Sequence, residues 1–148
     1  MGIEFRKDKI SVITKVSVHL YPFTLKSNPM KTFKLVLTFL FGLFMILGGV
    51  SHFMNPDMYA RFFPNFALNP VINVLAGVTE IGLGIGLFIP RFRTMATFAV
   101  FVLMLVFLPL HIIDVFRTEP AVGTHQIALI RLPMQFVLIL WAWFINKK

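Results

Sequence analysis

The sequence predicts an all-α fold, a transmembrane four-helix bundle with both termini in the cytosol. Three observations carry this expectation. Of 148 residues, 57% are hydrophobic and only 14% charged, whereas soluble domains carry about a quarter charged. Eighteen Phe exceed what one small aqueous core can bury, and lipid is their natural solvent. Four stretches are long and apolar enough to cross roughly 30 Å of hydrocarbon as helices of about 20 residues.

The first span is expected over about residues 35–54, the second over 71–89, the third over 94–113 and the fourth over 126–145. Proline and asparagine punctuate the gaps, in "NPDMYARFFPNFALNP", "IPRFR" and "RTEPAVGTH". Links this short make neighbouring spans antiparallel, which gives a compact bundle. Lys and Arg then set the orientation. Residues 1–34, the 90–93 link and the C-terminus hold eleven, the other two loops only Arg61 and Arg117, and Arg131 lies inside a span. That asymmetry places both termini on the cytosolic side. Trp141 and Trp143, beside Lys147 and Lys148, fit an interfacial belt there.

Residues 1–29 read differently. They are polar and basic, without the apolar region and small-residue cleavage site of a secretory signal. "KVSVHLYPF" alternates weakly like a strand, and "MKTFKLVLTFLFG" from Met30 reads like the start of a membrane protein. The expectation is a dispensable extension or an over-long gene reading over 1–29, followed by a four-helix membrane domain over 30–148. Intact-mass analysis of the native protein decides it.

Composition also excludes functions. With no cysteine, disulfides, thiol catalysis, thiolate metal sites and iron–sulfur ligation are all ruled out. The net charge of +8 is not a nucleic-acid signal, because the aromatics lie inside apolar runs and the basic residues at their ends. A carboxylate-bridged di-metal bundle needs several Glu and paired Glu-x-x-His turns. One intramembrane Glu does not supply them, so no metal is expected. Haem held by His52 and His111 is a weaker alternative.

Only Glu80 and Arg131 are ionisable residues well inside the spans. A charge at mid-span costs about 2.5–3.5 kcal/mol on insertion scales, so such groups face protein or water. Arg131 lies roughly 8 Å below the outer end of the fourth span, at about 1.5 Å per residue. An ion pair with Glu80 is therefore expected, with Gln135 one turn further on to satisfy the remaining lone pairs. Ala76, Gly77, Glu80 and Gly84 share a face, Gly82 and Gly86 form a small-residue pair beside it, and Gly42, Gly49 and His52 offer a matching face on the first span. His52, His111 and Asp114 gather toward the outer half, His125 opens the fourth span, and Pro109 and Pro133 can bend helices around a cavity. The expected site is an outward-opening polar pocket of Glu80, Arg131, Gln135, His52, His111 and Asp114. The alternative is structural: a register-fixing ion pair, interfacial histidines and a glycine packing face.

The stretches "GGVSHFMNPDMYARFFPN", "AGVTEIGLGIGLFIPRFR" and "RLPMQFVLILWAWF" resemble the DoxX-like family of small four-helix bacterial membrane proteins over about residues 30–148. The likeness rests on Gly49, His52, Phe53 and Pro56, on Glu80, Ile81 and Gly84, and on Arg131, Pro133 and Gln135. Where that family commonly has a Pro-Ala-Asn step, this chain reads "LPLHIID", which leaves the roles of His111 and Asp114 open. The resemblance implies a bacterial inner-membrane location and a redox-associated accessory role beside membrane redox-complex subunits.

Three functions follow as expectations. The first is a non-enzymatic subunit or binder of a small ligand, a quinone or lipid, with no catalytic residue, no resident cofactor and the lipid bilayer as its surroundings. The second is a proton-coupled transporter in which Glu80 alternates between a proton and a cationic substrate, although Arg131 would repel that substrate. The third is an enzyme on a lipid-like substrate using Glu80 and a histidine. It ranks last, because helix rise sets Glu80 about 15 Å below the outer surface, an unfavourable gap for His52 to close. Oligomeric state is not legible.

Overall fold

The computed structural model describes residues 28–62 and 69–147. Five helices follow in order: α1 Pro29–Met54, α2 Pro56–Ala60, α3 Asn69–Phe88, α4 Arg93–Val115 and α5 His125–Asn146. All but α2 are long and apolar enough to cross a membrane. The protein has the architecture of a multi-pass, all-helical membrane bundle, and the long helices match the predicted spans to within a few residues at most ends. The strand-like "KVSVHLYPF" and the rest of 1–27 lie outside the described residues. Asn28 and Pro29, assigned above to the extension, start α1 instead. The Asn28 side chain accepts from the Met30 amide at 3.1 Å, and Pro29 fills the first helical position, where proline's missing N–H is harmless.

The short helix α2 lies in a stretch read from sequence as a plain link. Its start follows the same chemistry, with Pro56 first and Asp57 in the first turn, where an acid suits the helix dipole. Arg117 holds its far end by donating to the Arg61 and Phe62 carbonyls at 2.6 and 3.0 Å.

Inside and outside are both apolar, as lipid requires. Leu47, Leu75, Phe98, Val106 and Leu140 face outward and exposed. The dry core, built on Phe41, Met45, Leu87, Val100, Met104 and Ala142, fills the half of the bundle nearest Lys34, Arg93 and Lys147. At this basic end, Phe41 packs edge-on against Trp141 and Phe33 against Phe144. Lys34 donates to the Lys147 carbonyl, and Arg93 donates to the Leu87 and Phe88 carbonyls that α3 leaves open at its C-terminus.

The helices pack most extensively in two pairs, α1 with α3 and α4 with α5. The first pair meets through glycine. Gly42 lies against Gly84 and Gly49 against Gly77, so closely that a Cβ on any of the four would stand 2.7–3.0 Å from the opposing glycine's carbonyl oxygen. The seven-residue spacing on both antiparallel helices keeps the glycines facing each other over two turns. Gly82, by contrast, is exposed with nothing near it, and Gly86 faces Ala96 of α4, so those two do not form one packing pair.

Candidate functional site

The end opposite the basic one is hollow. A cavity of about 300 Å³ opens between the helices, lined on one side by His52, Asn73 and Glu80 and on the other by His111, Arg131 and Gln135. Five of the six residues expected at the site line it, and the sixth, Asp114, stands behind Arg131. Apolar side chains such as Phe44, Met45, Phe107 and Met134 make up most of the remaining wall.

The pairing within the site differs from the expectation. Glu80 does not bond Arg131. Its Oε1 lies 3.5 Å from Nε2 of His52, and Arg131 donates from Nη1 to Asp114 Oδ2 at 3.0 Å. Gln135 does not serve Glu80 either; it donates to the Met104 carbonyl at 2.6 Å. The physical reason lies in side-chain direction. A helical Cα–Cβ bond leans toward the helix N-terminus. α3 and α5 both begin at the hollow end, so Glu80 and Arg131 both lean toward it and stay at different depths. α1 and α4 end there, so His52 and Asp114 lean back inward to meet them.

The same geometry overturns the gap set between His52 and Glu80. The glycine register places His52 only about six residues, roughly 9 Å of helix rise, from the level of Glu80, and two converging side chains close that distance.

Each acid is therefore answered by its own partner. Asp114 is 1% exposed and also accepts from the Ala121 amide at 2.6 Å, which ties α4, the following loop and α5 together. Gly123 turns that loop with φ of 71°, a left-handed conformation that favours glycine. The Arg131 guanidinium lies over the Phe62 ring, 5.0 Å from its centre. Beside Glu80, Asn73 brackets His52: its amide oxygen is 2.7 Å from Nδ1, and its amide nitrogen donates to the His52 carbonyl at 2.8 Å. The Tyr59 ring stacks on the imidazole at 3.7 Å, and its hydroxyl bonds Ser51.

Sequence reasoning missed Asn73 and Tyr59. Asn73 carried a signal, since it shares a helical face with Gly77, Glu80 and Gly84 and is an amide inside an apolar span. Tyr59 carried none, because it reaches the site through α2. His125 is exposed at the start of α5, away from the cavity wall.

Gln135 holds α5 to α4 one residue before Leu105, whose carbonyl loses its usual helical donor to Pro109. Gln135→Leu keeps the volume and removes the donor. A loss of about 1 kcal/mol is expected, read as a lower unfolding midpoint in mild detergent. Among the described residues, no group of three or more His, Asp or Glu side chains is placed to hold a metal.

Four apolar helices around a mostly apolar cavity with a few polar groups define the class: a membrane bundle with an internal site. A family profile described as Domain of unknown function (DUF8561) matches residues 40–146. The chain belongs to that family. No curated protein and no solved structure matches it.

Proposed function

We propose that the chain is a multi-pass protein of the bacterial inner membrane, with both termini cytosolic, that holds a small, largely apolar ligand. A quinone or a lipid fits this description, and the protein would serve as a non-enzymatic accessory to membrane redox-complex subunits, in the manner of the DoxX-like proteins it resembles. The observation that carries the reading is the cavity itself: about 300 Å³, mostly apolar, with a few convergent polar groups, as small-molecule sites are built. The gathering of Lys34, Arg93 and Lys147 at one end of the bundle supports the orientation. Extraction in mild detergent followed by native mass spectrometry and lipid analysis should recover a bound molecule. Ala76→Phe projects a ring into the cavity and should release that molecule while leaving the bundle folded. Consistently empty protein would overturn the reading.

A second reading, a proton-coupled transporter using Glu80, gains from one observation. Arg131, which argued against a cationic substrate, has its charge answered by Asp114. Substrate-driven proton flux in liposomes, lost in Glu80→Gln, is the expected result.

A further inference from the structure

The imidazole of His52 has its tautomer set by its neighbours. The Asn73 amide nitrogen donates to the His52 backbone carbonyl, an oxygen that can only accept. This fixes the amide's orientation and turns its oxygen to His52 Nδ1, so Nδ1 is the nitrogen that carries N–H. Nε2 is left to face Glu80 Oε1 at 3.5 Å. With no proton on either atom, two lone pairs would oppose each other in a buried gap. A proton on one of them turns the contact into an attraction. One proton therefore belongs to the pair.

The open hydrogen-bonding capacity of this wall is that of an acceptor. Glu80 Oε2 lies against Gly48, 2.8 Å from where a Cβ would stand there, and among the described residues no side chain donates to it. Aromatic rings form part of the lining: Phe44 and Phe107, with Tyr59 stacked on His52 and Phe62 under Arg131. A carboxylate within aromatic walls is the chemistry that recognises substituted ammonium ions.

We propose that His52 and Glu80 share one exchangeable proton at the cavity wall and release it when an apolar ammonium ligand enters. The proposal rests on the transporter reading and assigns its substrate class. The exchange balances. Before it, the pair holds one proton and is neutral overall; after it, Glu80 is an anion, His52 is neutral, the ligand supplies one positive charge and the proton has left. No net charge is added to the membrane interior, which avoids the cost of an unpaired buried ion. The other titratable groups at the cavity are Tyr59 on α2, His111 on α4 and Arg131 on α5, the last neutralised by Asp114.

The test titrates full-length protein in mild detergent with phenyltrimethylammonium, whose charge is permanent, and with its neutral isostere tert-butylbenzene. Calorimetry in two buffers of different ionisation heat counts the protons. About one proton released per cation is expected, with affinity falling about tenfold per pH unit of acidification through the pair's titration. Nitrogen NMR of labelled histidine should find His52 Nδ1 protonated throughout and Nε2 changed by the cation. Glu80→Gln should lose cation binding and proton release together. Cation binding without proton release, or a His52 protonated at Nε2 alone, would overturn the proposal. Binding of tert-butylbenzene but not of the cation would also overturn it while leaving the cavity a ligand site. Proton-linked binding without any flux in liposomes would remove the transporter and leave the exchange site standing.

Discussion

Asp114→Ala is expected to be the most destabilising single change in the bundle's hollow half. It removes the acceptor of Arg131 and of the Ala121 amide together, leaving a half-buried guanidinium and a buried backbone N–H without their partner. Loss of one member of a fully buried pair costs about 3–5 kcal/mol, and the partial exposure of Arg131 puts the expectation at the lower end of that range. The readout is a large drop in the unfolding midpoint in detergent, with the loop after α4 becoming open to proteolysis. Replacing both members with apolar residues, Asp114→Leu with Arg131→Met, should recover much of the loss, because the uncompensated charge goes with them. If Asp114→Ala melts like the wild type, Arg131 has found another acceptor and the pair is not what holds this half together.

Gly49→Ala should come next. A single methyl group there would stand 2.7 Å from the Gly77 oxygen and 2.9 Å from the Ile81 nitrogen. Both are backbone atoms, so no rotamer change relieves the contact and the helices must separate. Overpacking of this kind typically costs about 1–3 kcal/mol. Separation also moves His52 away from Glu80, so the variant should lose ligand binding as well as stability. Gly82→Ala, which meets open space, is the control and should be silent in both measurements.

The long helices were legible because the bilayer imposes one dominant requirement, a run of apolar residues of fixed length, which local sequence carries in full. The residues gathered at the site were legible for a related reason: polar groups in apolar spans have few places to go. Their pairing was not. Counting residues along each helix gives the depth of Cα atoms, and on that count Glu80 lies nearer Arg131 than His52. The side chains lean with helix direction, and Glu80 and His52 sit on antiparallel helices whose side chains converge. The register of α1 against α3 also had to be known, and it is set by which glycines face each other rather than by where the spans end. Asn73 could have been found from its spacing with Gly77 and Glu80. Tyr59 could not, because nothing near "PDMYA" announces that a short helix folds back over His52.

The glycine contact has a mechanical consequence. Where two helices touch backbone to backbone at the glycines, few side chains are left there to re-pack, so α1 and α3 have little room to slide past each other. The named joints between α1 and α5, Phe33 on Phe144, Phe41 on Trp141 and Lys34 on Lys147, all sit at the basic end. At the hollow end the two helix pairs are bridged instead through α2, by Arg117 on the Arg61 and Phe62 carbonyls and by Arg131 over the Phe62 ring, so those are the contacts that any parting of the helices there has to break.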